Sequence, residues 1–174
     1  MAMMTRFLII SITAAGITTA ALAGPERITF SSDYRDNFVQ YYAGERANGK
    51  QYAIIFANPV AAKAAEGSGT LPIGSQIVME IYKPQRNANE VVFRDANDAL
   101  IPGELAAIAV MESQAGWGEA YDDELRNRDW DFGLFTPSGE IKKNDSTACL
   151  ECHVGYGDSA HMHTYDALVE NAAE

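Results

Sequence analysis

Apolar positions along this chain recur with two different periods, and the two periods divide it into strands and helices. From Gln76 to Lys83 they alternate, with Ile77, Met79, Ile81 and Lys83 on one side of a strand and Gln76, Val78, Glu80 and Tyr82 on the other. Leu105 to Glu112 alternates in the same way. Leu105, Ala107, Ala109 and Met111 form one row, small enough for a flat ring to approach; Ala106, Ile108, Val110 and Glu112 form the other. Continuous apolar runs at 52 to 56 and 130 to 135 predict two well-covered strands, the second closed by Pro137-Ser138-Gly139. A short strand, Val91-Val92-Phe93, is expected inside a polar excursion over residues 85 to 103, with turn signals at 87 to 89, 95 to 98 and 102 to 103.

The helical period is expected first after Ser31-Ser32-Asp33, where Tyr34, Phe38, Tyr41 and Tyr42 stand at i, i+4, i+7 and i+8. Gly44 to Lys50 then reads as a turn. Asn58 caps a second helix, Pro59 fits its first turn and Gly67 ends it. Gly116-Trp117-Gly118 is a turn carrying an aromatic, and residues 121 to 129 are charged enough to lie outside. Asn144-Asp145-Ser146 and then Thr164 cap two C-terminal helices.

The first 23 residues have a different character. Arg6 is followed by an apolar run from Phe7 to Ala23 rich in Ser, Thr and Gly, which ends in an A-x-A site and reads as a secretory signal peptide cleaved before Gly24. A retained membrane anchor is the alternative. The remaining 151 residues, 24 to 174, suffice for one ordinary domain. Without Arg6 the 13 basic residues become 12 against 24 acidic ones, and the formal charge moves from −11 to −12. Such a surface argues against nucleic acid as a partner and would steer a basic redox protein towards it, while also simply keeping an exported protein soluble.

Chemistry concentrates at Cys149-Leu150-Glu151-Cys152-His153, the C-x-x-C-H attachment signature of c-type haem. Two thiols on one helical face can each close a thioether to a vinyl group, and the adjacent imidazole reaches the iron. A structural zinc would need four N/S ligands, whereas the chain offers two Cys and three His in all. With both cysteines so used, no disulfide is left to form. His153 has only 21 residues after it, so the far-downstream Met of an electron-transfer cytochrome c has no counterpart. A protein-supplied sixth ligand would come from Met162, His161, His163 or the upstream body; otherwise the distal position is open for small molecules.

Two charged residues continue apolar rows. Lys83 ends the row of Ile77, Met79 and Ile81, and on periodicity alone it is a strand-end lysine that snorkels to water. Glu112 ends the row of Ile108 and Val110, where a carboxylate either reaches the rim or faces a pocket and exchanges protons.

The ordered set Asn58-Pro59, Met79-Glu80-Ile81-Tyr82-Lys83, Ile101-Pro102-Gly103-Glu104-Leu105, Val110-Met111-Glu112, Ala115-Gly116-Trp117-Gly118, Asn127-Arg128-Asp129-Trp130-Asp131, the C-terminal C-x-x-C-H and Thr164-Tyr165-Asp166-Ala167-Leu168 resembles the cytochrome P-460 family. The resemblance extends over most of residues 24 to 174. It implies an α+β fold, mainly an antiparallel sheet with peripheral helices and a C-terminal haem-bearing helix, in a homodimer with one five-coordinate haem c per chain. It further implies a lysine covalently joined to the macrocycle, matched here by Lys83, and oxidation of hydroxylamine in the periplasm to nitrous oxide or other oxidised nitrogen species. Glu112 is the candidate distal carboxylate. Phe56 is a candidate wall of the distal pocket, with plain sheet core as the other reading. The sister family, cytochrome c′-beta, is similar in fold and haem attachment, lacks the lysine link, and binds nitric oxide or carbon monoxide without this turnover. A simple electron shuttle would instead need a sixth ligand such as Met79, Met111, His161 or His163.

Overall fold

The computed structural model describes residues 24–65, 69–143 and 146–172. The signal-peptide stretch, Gly67, and Asn144 and Asp145 therefore lie outside the described residues. Five strands form one antiparallel meander in chain order: β1 (Val39–Glu45), β2 (Tyr52–Ala57), β3 (Gln76–Pro84), β4 (Pro102–Ser113) and β5 (Trp130–Phe135). Among the described residues four α-helices flank the sheet: α1 (Tyr34–Asn37), α2 (Pro59–Ala64), α3 (Thr147–Val154) and α4 (Tyr165–Ala172). The fold is α+β, as expected.

Residues directly opposite in neighbouring strands share a face, so register sorts the side chains. On one face run the rows Ala57, Ile77, Met111 and Phe132; Tyr42, Ile55, Met79, Ala109 and Leu134; and Gly44, Ala53, Ile81 and Ala107. Leu150, Met162, Tyr165 and Leu168 from the C-terminal segment and Ala61 and Ala65 from around α2 complete a core with them. On the other face Phe56, Val78, Ile108, Val110 and Phe135 pack under Ile28 and Tyr34 of the N-terminal segment. Both faces are covered, so the sheet is the middle layer of three.

Local chemistry explains most element ends. Asn58 caps α2 through its side-chain oxygen, which accepts from Ala61 N at 2.9 Å, and Pro59 opens the helix where no N–H is needed. Ser146 stands at the N-cap of α3 but makes no side-chain cap; its carbonyl accepts from Cys149 N and Leu150 N. At α4 the Thr164 carbonyl accepts from Leu168 N, while its hydroxyl pairs with that of Tyr41 at 3.0 Å.

Four local expectations are corrected. The helix after Asp33 stops at Asn37, and Tyr41 and Tyr42 stand in β1 instead. A bulge between Gln40 and Tyr42 lets both consecutive tyrosines meet the same core, which imitates a helical period, while pairing with β2 settles the conformation. Val91-Val92-Phe93 forms no strand but single bridges, Arg86 to Val92 and Arg94 to Leu100. Asn87 and Asp95 each accept two backbone N–H bonds there and curl the chain into tight turns. In β4 the register jumps from Ile81↔Ala107 to Tyr82↔Leu105, so a bulge carries Leu105 to the opposite face from Ala107, where it joins the Tyr34 cluster. Finally, Asn127, inside the charged stretch expected to be exposed, is fully buried.

Candidate functional site

Helix α3 is pinned from both sides. Leu150 anchors it in the core, and its carbonyl accepts from Asn127 Nδ2 at 3.0 Å; the same amide donates to Leu125 O at 2.9 Å. With Leu150 held inward, Cys149 is left half-buried and Cys152 exposed. His153 points back to the sheet and lies 4.6 Å from the Phe132 ring, centroid to centroid.

The His153 ring is oriented by the turn that follows the helix. Ala160 and His161 both adopt left-handed backbone angles, which turns the chain back on itself. The His161 carbonyl then sits 2.6 Å from His153 Nδ1. A carbonyl only accepts, so Nδ1 carries the proton and Nε2 keeps its lone pair. Burial lowers the His153 pKa, and this outweighs the backbone hydrogen bond that raises it. A neutral imidazole with Nδ1–H bound to a carbonyl is the form that ligates iron or another metal.

The remaining candidates for a sixth ligand are variously engaged. His161 is buried with its Nδ1 3.3 Å from the His153 carbonyl; Met162 and Met111 are buried in the core, and Met79 is half-buried. His163 is exposed, with Nε2 3.4 Å from Cys152 Sγ and its ring 3.8 Å from Tyr156. Among the described residues no three His, Cys, Asp or Glu side chains converge as a metal-ion cage would require, so a zinc reading of the cysteine pair lacks its ligands.

Beyond Phe132 the same sheet face continues as a low apolar strip. Met79, Ala109 and Leu134 are half-exposed, the Ala53 and Ala107 positions keep it shallow, and the Tyr42 ring lies over Gly44. Lys83 lies on this face as well, because both register shifts place their extra residues in β4 and leave the alternation of β3 intact. Six residues of strand, at about 3.3 Å each, separate Lys83 from Ile77, so the lysine stands about 20 Å along the strip. Its amine pairs with Glu104 Oε2 at 3.1 Å and is exposed.

The structure brings Cys149, Cys152, His153 and Lys83 to one face and sets Glu112 and Phe56 on the other. Glu112 is opposite Gln76 and Asp131; its Oε2 accepts from Thr29 N at 2.9 Å and Gln76 Nε2 at 3.1 Å, and its Oε1 from Gln114 Nε2 at 2.8 Å. Phe56 meets Tyr34 edge-on at 5.2 Å. Sequence reasoning missed Asn127, Phe132 and the His161 carbonyl. Only the first leaves a trace in the sequence, an uncharged amide inside an otherwise charged run.

These residues fit a covalently held haem: two thiols one helical turn apart, a neutral imidazole with its tautomer fixed, and a shallow apolar strip beside them. Among the described residues, no helix is long and apolar enough to cross a membrane. The sequence model of the cytochrome P460 family matches residues 31–164. A search of curated proteins finds no match. The chain belongs to the cytochrome P460 family and is a haem-binding protein.

Proposed function

We propose that this protein is a periplasmic enzyme that oxidises hydroxylamine at a single haem c, with Lys83 covalently joined to the macrocycle. It would be exported by residues 1–23, carry one haem domain over residues 24–174, work as a homodimer, and pass electrons to a soluble redox protein such as a basic cytochrome. The observation that carries this reading is the position of Lys83 on the face that presents Cys149, Cys152 and His153, at the far end of an apolar strip. Bound there, the haem supplies a redox-active iron at which a small nitrogen compound gives up electrons.

The chain's own residues have separate tasks. Cys149 and Cys152 hold the cofactor, and His153 offers Nε2 to the iron while His161 O and Phe132 keep its ring from turning. Asn127 fixes the helix that bears all three. Lys83 would leave its ion pair with Glu104 as the neutral, nucleophilic amine; its bond to a ring carbon would replace one N–H and one C–H, releasing two protons and passing two electrons to an added oxidant of the peroxide class. We do not assign the proton-accepting role to Glu112. Its oxygens already take three hydrogen bonds across the sheet, where they hold the N-terminal segment.

A second reading has one observation in its favour. Lys83 is exposed and paired with Glu104, as an unlinked lysine would be. In that case the protein binds nitric oxide or carbon monoxide, as a cytochrome c′-beta does, without turnover. The ferrous absorption spectrum and a hydroxylamine oxidation assay with an artificial electron acceptor separate the two. The enzyme should absorb well to the red of an ordinary c-haem, and Lys83→Leu should restore the ordinary spectrum, abolish oxidation and spare carbon monoxide binding. Wild-type Lys83 found unmodified by peptide mass spectrometry would establish the gas-binding reading instead.

A further inference from the structure

At the end of the strip farthest from Phe132, register assembles a polar row. β1 and β2 pair as far as Glu45↔Tyr52, and Arg46 N donates to Gln51 O at 2.9 Å, so Arg46 and Gln51 extend the ladder by one step. Tyr82 pairs with Tyr52, which makes Lys83 the next member of that row. Alternation from Tyr42 through Gly44 puts Arg46 on the same face as Lys83 and His153.

Arg46 is unusual in its company. Among the described arginines, Arg27, Arg35, Arg86, Arg94 and Arg126 each have a carboxylate within 4.0 Å. Arg128 has none and is exposed to water. Arg46 has none among the described residues and is half-buried; its guanidinium donates to an amide oxygen, Gln51 Oε1, 2.5 Å from Nη1. In a chain with 24 acidic residues, this half-buried guanidinium on an apolar strip has no counter-charge among the described residues.

A haem carries its two vinyl groups on one side of the ring and its two carboxylates on the other. Thioethers at Cys149 and Cys152 therefore leave the carboxylate edge pointing away from α3. We infer that Arg46, aimed by Gln51, receives a haem carboxylate and clamps the edge of the cofactor opposite the thioethers. The planar guanidinium fork matches a carboxylate in two parallel hydrogen bonds, and Gln51 leaves the other nitrogens free to make them. Arg46 is thus a positioning residue whose charge also favours the reduced iron. This assignment rests on the haem reading of Cys149 to His153.

The test compares wild type with Arg46→Gln, Arg46→Lys, Gln51→Ala and the exposed control Arg86→Gln. Covalent haem content, midpoint potential and the carboxylate bending bands in resonance Raman are read for each. Arg46→Gln should retain its haem and shift the redox equilibrium about tenfold towards the oxidised form, about 59 mV for a one-electron couple. Arg46→Lys should keep most of the potential yet move the Raman bands, because the charge survives and the fork does not. Gln51→Ala should fall between wild type and Arg46→Gln, and Arg86→Gln should change nothing. An unaltered potential in Arg46→Gln, or unaltered bands in Arg46→Lys should the first variant not mature, would overturn the role of Arg46. Wild-type protein without covalent haem would instead overturn the reading on which it rests.

Discussion

The two faces of the sheet solve opposite problems. Under the N-terminal segment lie three carboxylates, Glu80, Glu112 and Asp131, all nearly inaccessible and all saturated. Glu80 accepts from Tyr34, Arg35 and Tyr82, Asp131 from Arg27, Tyr121 and its own neighbour Phe132 N, and Glu112 from Thr29, Gln76 and Gln114. Among the described residues the face under α3 carries no such buried acid; its polar groups include thiols, imidazoles and, at the far end, two cations. The contrast teaches that a buried acid in a strand is no pointer to chemistry by itself. Here the acids staple a segment of irregular backbone to the sheet, and the reactive groups lie where the structure is shallow and half-open.

The largest expected effect breaks the open face. Replacing both Cys149 and Cys152 by Ala should abolish covalent haem, seen as loss of the haem-stained band on a denaturing gel. Full retention through Lys83 alone would show that the cysteines are dispensable. The corresponding break in the closed face is Asp131→Ala, which leaves the Arg27 guanidinium, 10% exposed, without its partner. Removing one member of such a pair typically costs about 3–5 kcal/mol. Urea unfolding of the apoprotein should register that loss.

Glu112→Ala sharpens the contrast, because it is damaging in one currency only. Thr29 N and Gln76 Nε2 lose their acceptor, and stability should drop by about 1–3 kcal/mol. Hydroxylamine turnover per haem should stay within a factor of about two. A fall of the 10²–10⁴-fold that general-base catalysis typically contributes would return Glu112 to the mechanism.

The smallest effect appears in alkali. Tyr82 and Tyr121 are both pushed up to about 12, first by burial and then by the carboxylates that accept their protons, Glu80 and Asp131. Their folded values exceed the ordinary value of 10, so their contribution is complete below pH 10 and is lost as pH rises towards 12. Urea midpoints between pH 9 and 12 should decline, and Tyr82→Phe or Tyr121→Phe should flatten the decline. An unchanged slope in both variants would mean that other groups set it.

Much of this was legible in the sequence where a local rule decides. The boundaries of β5 and the start of β3 follow from apolar runs, α2 from its Asn-Pro, and the haem site from the three spaced residues Cys149, Cys152 and His153. What a local rule could not supply is which partner covers which face. Alternation correctly groups Glu112 with Ile108 and Val110, but both rows of β4 carry buried residues, and only the packing of Thr29 and Phe132 shows which side faces the haem helix. Bulges erased the period outright: one joins Tyr41 to Tyr42, and another parts Leu105 from Ala107. Asn127 left a trace as an uncharged amide, but its role could not be read, since its partners are backbone carbonyls, one of them 23 residues away.

The first of those bulges bears on how copies of the chain meet in solution. β1 is an edge strand, with Val39, Gln40 and Ala43 exposed along it, and a regular edge of that kind offers its free amides and carbonyls to any neighbouring strand. The irregularity between Gln40 and Tyr42 bends and twists the strand, so a second edge laid against it cannot keep register over its whole length. The distortion that places two tyrosines in one core thereby also guards the sheet against growing, strand by strand, into an aggregate.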